Sequence, residues 1–225
     1  MPNRPVCCQS GSNPESQLET AAQHRIQGSL IKSRLLFLHI KHGVQTLKKI
    51  LRLLPAEDQN LLCKTIYVGE WYSLAILVRL DLAIAAELGG HYPNVFEELG
   101  RFSADLNLGG AYEPLMKKDI HALLNLSAVM NKTYQDFGKA SYHQPESSDP
   151  GGRQTVLLKL EYPEPPPSHY CESGLGYFQH AVELCGGQEV TVEITECLQQ
   201  GGRCCCFKVE WEPPTDVSLR PSSAR

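Results

Sequence analysis

Three cysteines in the last third of the chain carry the clearest chemical possibility in this sequence. Cys171 lies at the entrance of a predicted helix, and Cys197 and Cys205 flank the turn of a predicted β-hairpin. Thiolates are good zinc ligands, and a structural zinc site takes four ligands in a tetrahedron. Buried cysteines that bind no metal behave as small apolar side chains. The residues alone leave both interpretations open, a metal site or a core packed with sulfur.

The last predicted strand, Arg203–Trp211, decides which thiol faces the core. Side chains alternate between the two faces of a strand. One face therefore carries Cys205, Phe207, Val209 and Trp211, and the other carries Cys204, Cys206, Lys208 and Glu210. We expect Cys205 to point inward, and Glu193, Glu196 or His169 to be the available fourth ligand of a metal ion.

Composition excludes several classes of function. The chain has 225 residues, 42% of them hydrophobic, and a net charge of −4, which gives no electrostatic reason to expect a nucleic-acid partner. The apolar run at 35–40 is far short of the roughly 20 residues that span a bilayer. Nine cysteines, an odd number without regular spacing, favour reduced thiols over a disulfide framework. We therefore expect a cytoplasmic protein.

The dinucleotide, P-loop, esterase and CxxCH haem-attachment motifs are absent from the sequence.

The organisation predicted from composition is a single α+β domain between two tails. Residues 1–22 and 213–225 are polar and rich in proline and serine, so we expect them to be disordered. Residues 23–212 form the domain, with a helical half at 23–140, a loop at 141–153 and a sheet half at 154–212. The fold class predicted is N-terminal helices packed with a C-terminal antiparallel sheet that carries a covering helix.

Periodicity supports this division. Apolar residues recur every three to four positions from Ile26 to Leu54, with Gly43 a possible break and Pro55 a stop. Further helical patterns run over 71–88, 95–106 and 120–137. The second half alternates instead, which predicts strands at 155–162, 189–195 and 203–211, with a helix after Ser173 that ends at Gly186.

Aromatic side chains are candidates for a ligand pocket between the two halves. Pockets tend to lie at such interfaces and to be lined by aromatic and apolar groups. The predicted pocket residues are Trp71, Tyr72, Phe102, Tyr134, Tyr177 and Phe178. For any one of them, ordinary core packing is the alternative.

Several segments resemble a known family. The stretch from Cys171 through Gly176-Tyr177, then ELCGGQEVTVEITEC and GGRCCCFKVEW, is similar to the end of the 4-vinyl reductase type domain. That fold is shared with haem-NO-binding sensors and TRAPP vesicle-tethering subunits. The upstream pieces GSLIKSRLLFL, ILRLLPAEDQNLL, ELGRFSADLNLGGAYEPLM and YQDFGKAS resemble an uncharacterised bacterial family of myxobacterial type.

The resemblance implies a site. In aromatic-sensing regulators with this domain, three cysteines and a glutamate hold a structural zinc, and Cys171, Cys197 and Cys205 match the three cysteines. Ile194 stands where the glutamate is expected, so Glu196, beside the turn, is the better substitute. The haem-binding relatives use a histidine and a Tyr-x-Ser-x-Arg motif. Because that motif is absent from this sequence, the prediction is no haem.

The function predicted is a non-catalytic small-molecule-binding or sensory module for an apolar or aromatic ligand, braced by zinc. It would signal through a homodimer or a partner protein. An interaction or scaffold protein of the tethering-subunit type, with no ligand, is the alternative. An enzyme that acts as an accessory to tetrapyrrole reduction, as the domain's name suggests, is a third hypothesis, which the absence of a visible acid/base or nucleophile constellation disfavours.

Overall fold

The computed structural model describes residues 14–109, 119–145, 152–162 and 168–213. The first half is helical. Its elements are α1 (Pro14–Ala22), α2 (Gly28–Phe37), α3 (Gly43–Arg52), α4 (Ala56–Leu62), α5 (Leu74–Leu88), α6 (Val95–Leu108) and α7 (Ile120–Tyr134). Two short strands, β1 (Arg25–Gln27) and β2 (Trp71–Ser73), pair antiparallel among them.

The long apolar pattern from Ile26 to Leu54 forms two helices. A π-helical turn, Leu38–His42, follows α2, and α3 then begins at Gly43. Gly43 has a φ of 83°, in the left-handed region that side chains disfavour, so the break falls where a glycine is available. The prediction that Gly43 interrupts this stretch is confirmed.

The second half is a four-stranded antiparallel sheet. Its strands are β3 (Lys139–His143), β4 (Gln154–Glu161), β5 (Gln188–Glu196) and β6 (Cys205–Glu212), in the spatial order β3-β4-β6-β5. The helix α8 (Ser168–Leu184) connects β4 to β5 and packs on the sheet and on α6. A short 3₁₀ turn, Leu198–Gln200, lies in the hairpin between β5 and β6.

One hydrophobic core joins the two halves. It includes Ile31 and Leu80 from the helices and Val156, Phe207 and Trp211 from the sheet, all buried. The predicted fold class, α+β with a covering helix on a C-terminal antiparallel sheet, is therefore confirmed. Within the described ranges, no helix is long and apolar enough to cross a membrane.

The structure differs from the sequence prediction at two boundaries. Residues 14–22, assigned to a disordered tail, form α1, because Ala21 is buried and Leu18 packs on the core. Residues 141–143, assigned to the loop, belong to β3, which pairs with β4 along the sheet edge. The rest of the N-terminal tail and nearly all of the C-terminal tail lie outside the described residues.

Candidate ligand-binding site

The three cysteines singled out in the sequence meet in the core. Cys171 lies in the first turns of α8, Cys197 directly after β5, and Cys205 at the start of β6, and all three are buried. Their sulfur atoms lie within 4.8 Å of one another, and the Cys171 and Cys205 sulfurs are 3.6 Å apart. This geometry matches the predicted convergence of three thiols.

Burial and neighbouring groups keep the thiol of Cys205 protonated at neutral pH. The contact with Cys171 lowers its pKa, but the contact with Cys197 and burial raise it more, to about 12. Without a bound cation, Cys205 therefore stays a protonated thiol. A divalent metal ion that binds the thiols would displace their protons.

Glu196 lies outside this cluster. Its carboxylate accepts hydrogen bonds from the backbone N–H of Arg203 (2.7 Å) and the thiol of Cys204 (3.6 Å). The bond from Arg203 is the main reason that the pKa of Glu196 is lowered. The pairing of β5 with β6 shifts register between Ile194 and Glu196, which turns the Glu196 side chain towards Cys204. The structure thus brings together three of the four predicted metal ligands.

A cavity lies between the helices and the sheet, beside the cysteine cluster. Its volume is about 210 Å³. Walls come from α2, α6, α7, α8 and the strands β3, β4 and β6, and most of the lining is apolar. Cys171 and Tyr162 line it as well, so the cysteine cluster contributes one of its three members to the cavity wall. A space of this size suits a small organic molecule rather than a drug-sized one.

Three of the six predicted pocket aromatics line this cavity, namely Tyr134, Tyr177 and Phe178. The other three lie elsewhere. Trp71 is half-exposed in β2 beneath the guanidinium of Arg25, and the Tyr72 hydroxyl contacts Glu70. Phe102 packs edge-on against Phe37. The sequence placed Trp71 and Tyr72 on a helix, whereas α5 begins only after the short strand β2.

A buried ion pair at the cavity was not identified from the sequence. The Arg34 side chain, on α2, is 4% exposed and lines the cavity, and its Nε and Nη2 donate to the two oxygens of Asp81 on α5 at 3.1 and 3.3 Å. These residues are 47 positions apart, so no local spacing links them. The sequence does contain one indication of a buried charge, because Arg34 lies within an otherwise apolar helical stripe.

Tyrosines and a glutamine form a hydrogen-bonded group near this ion pair. The Tyr170 hydroxyl donates to Oε1 of Gln135 at 2.8 Å, and Gln135 in turn donates to the carbonyl of Phe137. Burial raises the pKa of both Tyr162 and Tyr170 above the usual range of a phenol. Both phenols are therefore neutral at physiological pH.

The two helices that form one wall of the cavity pack unusually closely. A β-carbon built on Gly176 of α8 would lie 1.9 Å from the Glu97 carbonyl oxygen of α6, and one built on Gly100 of α6 would lie 2.0 Å from the Ser173 carbonyl oxygen. Only glycine permits backbones to approach this closely. Arg101 and Glu183 pair across the same contact.

Comparison with known proteins shows the fold. The sequence matches no protein-family model and no curated protein. The structure is similar to an H-NOX protein from S. oneidensis in the Fe(II) ligation state, with a TM-score of 0.65 and 13% identity over 85% of this chain and 99% of that one. An unliganded Fe(II) H-NOX protein from K. algicida matches with a TM-score of 0.60 and 14% identity, covering 84% and 98%. The chain therefore has an H-NOX-like fold.

This likeness corrects the prediction that the protein has no haem. The prediction rested on one missing motif, but the fold is that of proteins studied in Fe(II) states, and another similar structure was determined to probe haem distortion in the H-NOX family. Among the described cavity residues there is no histidine. The groups there that bind haem iron in some proteins are the Met130 thioether, the Cys171 thiol and the tyrosines. Among the described lining residues, one of these groups would have to hold the iron of a haem bound here.

Proposed function

We propose that this chain is a non-catalytic sensory module whose cavity binds an apolar or aromatic small molecule. The observation that carries the proposal is the cavity itself, which is built between the helices and the sheet and is lined mainly by apolar and aromatic groups such as Leu158, Tyr177 and Phe178. A space of this kind, left open in a well-packed protein, is the usual form of a ligand site.

The H-NOX-like fold supports a ligand-binding role, since the structures it resembles are described by the ligation state of their iron. Haem is accordingly one ligand class to be tested. The 4-vinyl reductase resemblance supports the same role through its link to aromatic-sensing domains, and it remains part of this proposal. The proposal also places the module in the cytoplasm, with its signal passed to a second copy or to a partner protein.

Native mass spectrometry of the purified full-length protein, together with its absorption spectrum, tests the proposal. We expect a retained mass of a few hundred daltons above the chain, or saturable binding of a hydrophobic fluorophore that is displaced by small aromatics. A Soret band would identify the ligand as haem. Leu158→Trp fills the cavity and should abolish binding, whereas Val129→Trp, at an exposed position of α7, should not. Binding that is unchanged by Leu158→Trp would place the ligand elsewhere.

We also propose that Cys171, Cys197 and Cys205 bind a metal ion that prefers thiolates. Three buried sulfurs within 4.8 Å of one another support this, because a tetrahedral site needs donors at such separations. Co²⁺ added to the reduced protein should give thiolate-to-cobalt charge-transfer absorption. Cys205→Ser should remove it, and Cys206→Ser, on the opposite face of β6, should retain it. Equal signals from both variants would refute the site.

A second candidate function is protein interaction, and exposed apolar groups near α3 favour it. Ile40, Val44 and Leu53 are 59%, 44% and 57% exposed on the stretch predicted to form a scaffold helix. Analytical ultracentrifugation of the wild type and of Ile40→Lys tests this role. A dimer that Ile40→Lys dissociates would support it, and a wild-type monomer across the micromolar range would exclude self-association.

A further inference from the structure

The polar groups buried in the cavity wall specify one feature of the ligand, and this inference rests on the function proposed above. Five polar residues of the lining are less than a tenth exposed, namely Ser33, Arg34, Ser103, Gln135 and Tyr162. A buried hydrogen-bond donor without an acceptor lowers stability. A donor in the cavity wall that has no acceptor in the protein therefore indicates a polar atom that the ligand should supply.

Four of these residues have a protein partner for their hydrogen-bonding groups. The hydroxyls of Ser33 and Ser103 donate to the carbonyl oxygens of Leu30 and Leu99, one turn earlier in their helices. Gln135 donates to the backbone of Phe137 and accepts from Tyr170. The Tyr162 oxygen accepts a hydrogen bond from Gln135. Each of the four therefore has a hydrogen-bonding partner within the protein.

Arg34 is different because its guanidinium has more donors than partners. A guanidinium carries five N–H bonds. Two of them reach Asp81, and Nη1 donates to the carbonyl of Leu30 at 3.4 Å. Within the part of the chain that the structure describes, these three bonds are the ones Arg34 makes, which leaves two N–H groups on a side chain that lines the cavity.

The charge of Arg34 is already balanced. Asp81 is 2% exposed and holds the guanidinium through two of its N–H groups, so the pair is neutral as a whole. A carboxylate added here would be a net negative charge in a buried space, which is unfavourable without a further cation. An uncharged oxygen acceptor would instead satisfy a charged donor, which makes a strong hydrogen bond.

We infer that the cavity takes a ligand with an apolar, ring-sized body and one uncharged carbonyl-type oxygen, which accepts a hydrogen bond from Arg34. The Arg34–Asp81 pair is thus the specificity-determining element of the cavity. The apolar walls bind the body of the ligand without discrimination, and the guanidinium selects for the oxygen.

Three matched probes test this inference, namely 2-acetylnaphthalene, 2-ethylnaphthalene and 2-naphthoate, titrated into the full-length protein. The acetyl and ethyl compounds have similar shapes, and only the first carries an acceptor. In the double variant Arg34→Met/Asp81→Leu the pair is replaced as a whole, which avoids an uncompensated buried charge. We expect this change to reduce the preference for the acetyl over the ethyl compound by about tenfold or more. Arg79→Met/Asp58→Leu, which removes a comparable ion pair outside the cavity lining, should leave the preference unchanged.

The outcomes separate this inference from the function on which it depends. If 2-acetylnaphthalene and 2-ethylnaphthalene bind to the wild type and the double variant keeps the preference for the acetyl compound, the role of Arg34 is refuted and the cavity remains a ligand site. If 2-naphthoate binds to the wild type more tightly than 2-acetylnaphthalene, the uncharged head group is refuted. If none of the probes binds and the purified protein retains no ligand, both proposals fail. A circular dichroism melt of each variant establishes that it is folded.

Discussion

The close approach of α6 and α8 makes Gly176→Ala a quantitative test of the packing. The added methyl group would lie 1.9 Å from the Glu97 carbonyl oxygen and 2.7 Å from its carbonyl carbon. An ordinary carbon–oxygen contact needs well over 3 Å, so the helices must separate by more than 1 Å along much of their contact. Both obstructing atoms belong to the backbone, which cannot rotate out of the way as a side chain can.

The size of the effect follows from two opposing terms. Overpacking of a well-packed interior costs about 1–3 kcal/mol, and a clash with backbone lies at the upper end of that range. Alanine in place of a helical glycine contributes about 1 kcal/mol in the favourable direction. We therefore expect Gly176→Ala to lower the free energy of unfolding by about 2 kcal/mol, measured by urea denaturation followed by far-UV circular dichroism.

Gly174→Ala, two positions earlier in α8, is the matched control. It gains the same helix propensity, but its methyl group meets the tip of the Phe207 ring at 2.9 Å, which a small rotation relieves. We expect a change within about 1 kcal/mol of wild type, because the two terms then nearly cancel. If Gly176→Ala is as stable as Gly174→Ala, the reasoning about the helix contact is refuted.

Three further predictions concern charge, thiol exposure and capping. Burial raises the pKa of Glu183, but hydrogen bonds led by that from Arg101 lower it more. The pKa of Glu183 is therefore lower in the folded than in the unfolded chain. Wild type should be more stable than Glu183→Gln above about pH 4.5, and this difference should shrink as the pH falls further. Urea denaturation at a series of pH values measures it. Iodoacetamide followed by peptide mass spectrometry should label Cys63, which is exposed, well before Cys205, which is fully buried; equal rates would contradict the burial. Asp119 accepts two backbone hydrogen bonds in the first turn of α7, so Asp119→Ala should cost about 1 kcal/mol and Asp119→Asn much less, by thermal unfolding.

The sheet half was largely predictable from sequence because its pattern is local. Val156, Leu158 and Leu160 alternate with polar or half-buried positions, and the observed strand follows that alternation. The inward face of β6 was also predicted correctly. Cys204 and Cys206 on its other face are nevertheless buried, so the second face of the sheet is less exposed than alternation alone suggests.

The parts of the site that sequence missed depend on non-local geometry. Glu196 lies outside the cysteine cluster because the pairing of β5 with β6 shifts by one residue beside it. Neither composition nor periodicity indicates such a shift. Arg34 lies in a helix whose charged residues would ordinarily face solvent, and only the folded chain brings Asp81 within hydrogen-bonding distance. Local patterns therefore gave the fold class and the three thiols, whereas the polar end of the cavity required the tertiary structure.

The glycine contact between α6 and α8 also bears on how the cavity would hold a ligand. Those two helices carry Ser103 and Asn107 on one side and Tyr177 and Phe178 on the other, all in the cavity wall. Because their backbones touch, this wall is preorganised and loses little conformational entropy when a ligand binds. In the function proposed above, α6 and α8 would therefore serve as a fixed frame around a bound ligand.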